Sequence, residues 1–326
     1  MRFGSRRAPT EAPPRRKGAA ESGGGRVQGT LRRAEALANV RRLEIRTRGF
    51  VDSVFSGEHA SAFLGRGFEF SHVRPYQPGD DVRTIDWRVT ARRGIPHVRQ
   101  FVEERDLPVV LVIDISASGH FNPGRRSTHL SACEVAAALT FAAVRTNDRV
   151  SMLLVSDRVE KVVPSGSGHR HAVRLLEQLL NHTPESRGTE ISVALESVDR
   201  TVRDHAAVFV LSDFEQKVRT PRFREAAARV GHRHDLIALR FVSPKVVELP
   251  DVGWLQITDP ESGRRVLLDT SSARIRQRYR SRSLESRTEL SNAIAEGGGE
   301  VLDLPVSDDP LPVLAEYFRN RRRSGR

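Results

Sequence analysis

Between residues 31 and 55 the apolar positions Leu37, Val40, Leu43, Ile45, Phe50 and Val54 recur at helical spacing among charged neighbours. That period predicts one or two helices, interrupted near Gly49. Residues 68–73, 84–89 and 97–102 alternate apolar with polar, and the breaks "QPGDD" and "RRG" lie between them. Three short strands in a small antiparallel β unit are the expectation, with Trp87 packing that unit onto the rest of the molecule.

From Leu107 the pattern changes. "PVVLVI", "RVSMLLVS", "RVEKVVP", "AAVFVLS" and "DLIALRFV" are strand-length apolar runs. Between them "STHLSACEVAAALTFAAVRT" is apolar almost all round, while "HAVRLLEQLLNH", "EISVALESVDRTV" and "RFREAAARV" are amphipathic or short helical segments. The pair "GWLQITD" and "RRVLLD" flanks "PESG" and predicts a hairpin; a helix over 273–295, the strand "GGGEVLDL" and a last helix in "PLPVLAEYFRN" follow. Strands alternating with helices predict an α/β fold, a Rossmann-like parallel sheet with helices on both faces. The expected organisation is a tail over 1–30, an N-terminal helix and β unit over 31–106, the α/β domain over 107–318, and a second tail over 319–326.

Composition changes this picture at the ends. Of the net charge of +12, residues 1–30 supply +5 (seven Lys/Arg, two Glu) and residues 319–326 another +5 (five Arg). The body is therefore nearly neutral, and the ends read as basic and disordered. They offer weak contact with nucleic acid or an anionic surface, but no base-reading motif accompanies the charge, so no specific nucleic acid is expected. No apolar run reaches the roughly 18–20 residues of a membrane span, and the opening residues carry no leader-like apolar stretch. Cys133 is the sole cysteine, so an internal disulfide is excluded, and a cytoplasmic location is expected. Its apolar helix makes Cys133 a core residue.

Candidate chemistry gathers at strand ends. "VVLVIDISASGH" places Asp114, Ser116 and Ser118 just beyond one apolar strand; Asp213 follows another, and Thr189 precedes a helix. Ligands of open α/β sheets sit beyond the carboxyl ends of strands. Two carboxylates and three hydroxyls suit a hard divalent cation: Mg²⁺, which takes about six oxygens at roughly 2.0–2.1 Å, with Mn²⁺ as the alternative. Alone, "DISAS" would equally make an Asx-type turn. A serine nucleophile lacks a G-x-S-x-G elbow. A metal-dependent hydrolase would need a base, for which Glu215 is the candidate. The pairs His169/His171 and His232/His234 lack further ligands at zinc spacing and read as solvated.

D-x-S-x-S, a later Thr and a later Asp resemble the metal-ion-dependent adhesion site of von Willebrand factor A domains. The resemblance implies that Ser116, Ser118 and Thr189 touch the metal and that Asp114 and Asp213 act largely through water. It leaves one position open for a partner's carboxylate. Gly119 stands where that motif often has Met.

A wider resemblance covers residues 50–305. "GRGFEF…VRPYQPGDDVRTIDWRVTARRG…VRQFVEERD" and "LPDVGWLQITDPESGRRVLLDTSS" are similar to the bacterial domain-of-unknown-function family 58. The signature includes Arg74, Tyr76, Gly79, Asp80, Asp81, Arg83, Asp86 and Trp87, a candidate partner surface with Arg83 facing the acids. Family members resemble von Willebrand factor A domains and associate with MoxR-type AAA+ ATPases, which implies a non-enzymatic adaptor or co-chaperone rather than an enzyme.

Overall fold

The computed structural model describes residues 22–55, 69–78, 80–102, 107–120, 127–215, 218, 220–243, 249–259 and 261–323. Residues 1–21 of the N-terminal tail, 324–326 of the C-terminal one, and Gly79 lie outside them.

Six strands form the central sheet in the order β10-β7-β6-β3-β4-β5. They are β3 (Val109–Asp114), β4 (Val150–Val155), β5 (Val159–Gly166), β6 (Ala207–Ser212), β7 (Asp235–Val242) and β10 (Glu300–Pro305). All neighbours pair in parallel except β4 and β5. The parallel expectation fails at β5 because residues 156–158 are too short for a crossover, so the chain can only fold back antiparallel.

Side chains of β3 divide strictly between the two faces. Val109, Leu111 and Ile113 enter one core with α1 (Ser22–Phe55), α4 (Thr128–Thr146), α5 (Gly168–Asn181) and α9 (Leu311–Arg323). Val110 and Val112 enter the other with α6 (Ile191–Thr201), α7 (Pro221–Arg233) and α8 (Ala273–Ala295). A strand covered on both sides can be apolar at every position, which is why β3 shows no polar alternation. Each such side chain contributes about 1.5–3 kcal/mol when fully buried. Phe318 of α9 meets Phe50 of α1 and Phe209 of β6 edge-on, at 6.3 and 6.2 Å between ring centres.

Helix α1 passes through Gly49 without a break and begins at Ser22, inside the stretch read as tail. Nothing lies within 4 Å of a Cβ placed at Gly49. The buried stripe Val40, Leu43, Phe50, Val51, Val54 outweighs the cost of one helical glycine, about 1 kcal/mol. Cys133 is buried in α4, and burial pushes its thiol up to about 12.

β1 (Glu69–Pro75) and β2 (His97–Val102) pair antiparallel. Between them residues 84–89 form no strand, contrary to expectation. A 3-10 turn covers Val82–Thr84, and α2 covers Trp87–Arg93. Asp81 and Asp86 are the cause: each carboxylate accepts backbone N–H groups that a strand would have left for a neighbour. The remaining elements are α3 (Ala117–His120) and the hairpin β8 (Trp254–Thr258) with β9 (Arg265–Asp269), a separate two-stranded sheet. Among the described residues no helix is long and apolar enough to cross a membrane.

Candidate metal centre

From β3 the chain steps to β4 on one side of the sheet and later to β6 on the other. The carboxyl ends of β3 and β6 therefore flank a switch point, where diverging connections open a crevice. Asp114 ends β3 and Ser212 ends β6.

The residues there interlock. Asp114 Oδ1 accepts the N–H of Ser116 at 2.9 Å, which turns the chain back over the strand end. Asp114 Oδ2 accepts the Ser212 hydroxyl at 2.6 Å. The hydroxyl oxygens of Ser116 and Ser118 are 3.1 Å apart, and Ser118 also hydrogen-bonds the Asp213 carboxylate. Asp213 Oδ1 accepts the N–H of Glu215 at 3.2 Å. Phe214, between them, has φ 52° and is buried. A bulky residue in that left-handed conformation costs roughly 1–2 kcal/mol, held here by packing and by Phe214 N–H donating to Ser212 Oγ at 3.0 Å.

Burial first, then Asp114, then Glu215 push the Asp213 carboxyl up to about 7. The Asp114 charge disfavours the ionised form of Asp213, and a nearby cation would relieve this. The donors are all oxygens, and among the described residues no three His, Cys, Asp or Glu side chains gather as a metal-holding group. The set fits a hard cation held by two carboxylates, hydroxyls and water, and it does not fit zinc.

Thr189 reaches the same end of the sheet by another route. Its loop meets α3 where Ala117 N–H donates to Arg187 O at 3.2 Å, and meets the end of β4 where Glu190 N–H donates to Ser156 O at 2.8 Å. Glu160 of β5 anchors that loop, accepting the N–H groups of Glu185 and Ser186 at 2.9 and 3.1 Å and pairing with His182 Nε2 at 2.7 Å. The Thr189 hydroxyl itself donates to Glu261 Oε1 at 2.7 Å. Sequence reasoning missed Ser212 and Glu261. Ser212 was visible as a hydroxyl ending an apolar run; Glu261 had no local signal.

Glu215 lines a small pocket with Asp213, Arg240 and Arg287. Glu215 is exposed to solvent at the mouth of this pocket.

The histidine expectation needs correction at His234, which is buried and not solvated; burial lowers its pKa.

The β1–β2 signature residues form local struts. Arg74 grips Asp80 with two hydrogen bonds, at 2.7 and 2.8 Å, and this contact holds the Asp80 carboxyl below the usual range. Arg74, rather than Arg83, is thus the partner of Asp80; Arg83 uses its backbone N–H on Asp81. The Tyr76 N–H donates to Pro96 O at 2.8 Å. Trp87 is 68% exposed and does not pack the unit onto the sheet, because it opens a helix instead of lying in a strand.

Residues 72–289 match the family described as "Protein of unknown function DUF58". The uncharacterized protein Rv1480 of Mycobacterium tuberculosis is 31% identical over 301 residues, covering 91% of this chain and 93% of that protein. The uncharacterized protein MAV169 of Mycobacterium avium is 28% identical over 167 residues, 49% of this chain and 94% of that one. Among solved structures, BatB from Bacteroides thetaiotaomicron is 17% identical with TM-score 0.46, covering 67% of this chain and 99% of its own. A von Willebrand factor type A protein from Catenulispora acidiphila is 13% identical with TM-score 0.40, covering 69% and 43%.

Proposed function

The chain belongs to the DUF58 family of proteins of unknown function, and from that premise we propose that it is a divalent-cation-dependent protein-recognition module. The observation that carries this reading is the hydrogen-bonded convergence of Asp114, Ser116, Ser118, Ser212 and Asp213 at the ends of the neighbouring strands β3 and β6. Asp114, Ser116, Ser118, Thr189 and Asp213 would hold Mg²⁺, or Mn²⁺ in its place. The ion supplies positive charge and affinity for oxygen. The residues of the chain set the rest. Ser116 and Ser118 present hydroxyl oxygens, Asp114 fixes the loop that carries them, and Ser212 fixes Asp114. With two carboxylates against a 2+ charge, the site stays receptive to one more acid, contributed by a client protein. Recognition of this kind makes and breaks no covalent bond.

The partner that the family resemblance implies is a MoxR-type AAA+ ATPase, for which this chain would serve as cytoplasmic adaptor. The test is to titrate Mg²⁺ into wild type and Asp114→Ala, and to capture the ATPase with and without EDTA. Saturable Mg²⁺ binding and EDTA-sensitive capture by wild type alone are expected. Equal capture by both proteins, indifferent to EDTA, would overturn the cation dependence.

A further inference from the structure

Thr189 is 4% exposed, and a buried threonine hydroxyl normally finds a carbonyl nearby in sequence. The buried Thr47, for example, donates to Leu43 O, four positions away. Thr189 instead donates to Glu261, a carboxylate 72 positions away in the turn of the β8–β9 hairpin. That turn is built to hold the side chain in place. Asp259 Oδ1 accepts the N–H of Glu261 at 3.0 Å, and Asp259 O accepts that of Gly263 at 2.8 Å, where φ is 69°. The hairpin exposes Trp254, Val266 and Leu267, and its other apolar residues, Leu255, Ile257 and Leu268, are only half-buried.

A hydroxyl has one proton and two lone pairs. By taking the proton, Glu261 fixes the direction in which the Thr189 lone pairs point, and its negative charge makes the oxygen a better donor to a cation. Among the described residues Glu261 does not join Asp114 and Asp213 in a group of metal-holding acids, and the hydrogen bond from Thr189 ties it to the site.

We propose that Glu261 is a positioning residue of the cation site, and that its bond to Thr189 makes the β8–β9 hairpin responsive to site occupancy. This rests on the reading of Thr189 as part of that site. Outer-shell partners of metal ligands are worth about 10- to 100-fold in affinity. Removing the acceptor should therefore weaken Mg²⁺ binding by about tenfold or more and release the hairpin.

The experiment uses the full chain with Mg²⁺ alone as probe, reading affinity by titration and amide exchange of residues 254–269 by mass spectrometry. Wild type should bind Mg²⁺ and slow exchange in the hairpin on binding. Glu261→Ala should bind about tenfold more weakly, with hairpin exchange indifferent to Mg²⁺. Glu261→Gln keeps an oxygen acceptor without the charge, and should recover the hairpin response and part of the affinity, which a loss through misfolding would not. Wild-type affinity in Glu261→Ala, or hairpin exchange that ignores Mg²⁺ in wild type, overturns the role of Glu261 and leaves the cation site standing. Absence of any Mg²⁺ binding by wild type overturns both.

Discussion

Ser212 donates its hydroxyl to Asp114 over 2.6 Å, joining the last residue of β6 to the last residue of β3. The same oxygen accepts the N–H of Phe214, so one hydroxyl spans the crevice and also stabilises the left-handed turn behind Asp213. Ser212 is buried, and both its bonds are lost together in Ser212→Ala. That variant should lose about 1–3 kcal/mol of unfolding free energy, the cost of withdrawing a buried partner from a carboxylate and an amide. Urea denaturation reads it directly; a change below about 0.5 kcal/mol would show that the bridge is dispensable.

Glu160 yields a prediction in pH. Its side chain is fully buried, which raises the carboxyl, yet hydrogen bonds from Ser156, Glu185 N–H, His182 and Ser186 N–H outweigh that and bring it below the ordinary glutamate value. A group depressed in the folded state stabilises it above the unfolded pKa, and that stability fades as pH falls through the folded one. Glu160→Gln should thus be less stable than wild type by about 1–3 kcal/mol at pH 7. The gap should close below the usual carboxylate range, around pH 4 and lower. Denaturant midpoints measured from pH 7 to pH 3 check the sign, and a gap that widens on acidification contradicts it.

How much of this was legible follows from the range of each interaction. The apolar runs of β3 and β6 marked two strands whose ends carry Asp114 and Asp213, because burial on both faces leaves a continuous signature. Helix α8 runs over the residues that its sequence predicts, Ala273–Ala295. The alternation Ile85, Trp87, Val89 misled, since two local aspartate caps redirected the backbone. Reading Asp86 as an N-cap would have placed α2 correctly. The bond from Thr189 to Glu261 could not be read at all, because nothing in a Pro-Glu-Ser-Gly turn specifies a partner 72 positions away.

Gly231 tests packing where two favourable rules collide. Gly231 lies in the last turn of α7, where Gly→Ala would ordinarily stabilise by up to about 1 kcal/mol. A Cβ at Gly231 of α7 would sit 2.6 Å from Gly297 O, a backbone atom of the tight turn after α8 that cannot swing aside. Overpacking of this kind costs about 1–3 kcal/mol. The clash should win, and Gly231→Ala should melt below wild type; a higher melting temperature would show that the turn after α8 yields freely.

The two strand-end acids predict opposite effects of one substitution under two conditions. Asp213 lies in the field of Asp114 and Glu215, so without a cation its charge works against the folded state. Asp213→Asn keeps the size and one acceptor oxygen while removing that repulsion, and in EDTA it should melt at or above the wild-type temperature. A ligand bound only by the folded state stabilises it by about 2.7 kcal/mol at a concentration of 100 Kd. Saturating Mg²⁺ should therefore raise the wild-type midpoint by several degrees and leave Asp213→Asn nearly unmoved, reversing their order. Thermal melts of both proteins in EDTA and in Mg²⁺ measure this. An order that stays the same in the two buffers would mean that the crowding of Asp114 and Asp213 is not there to receive a cation.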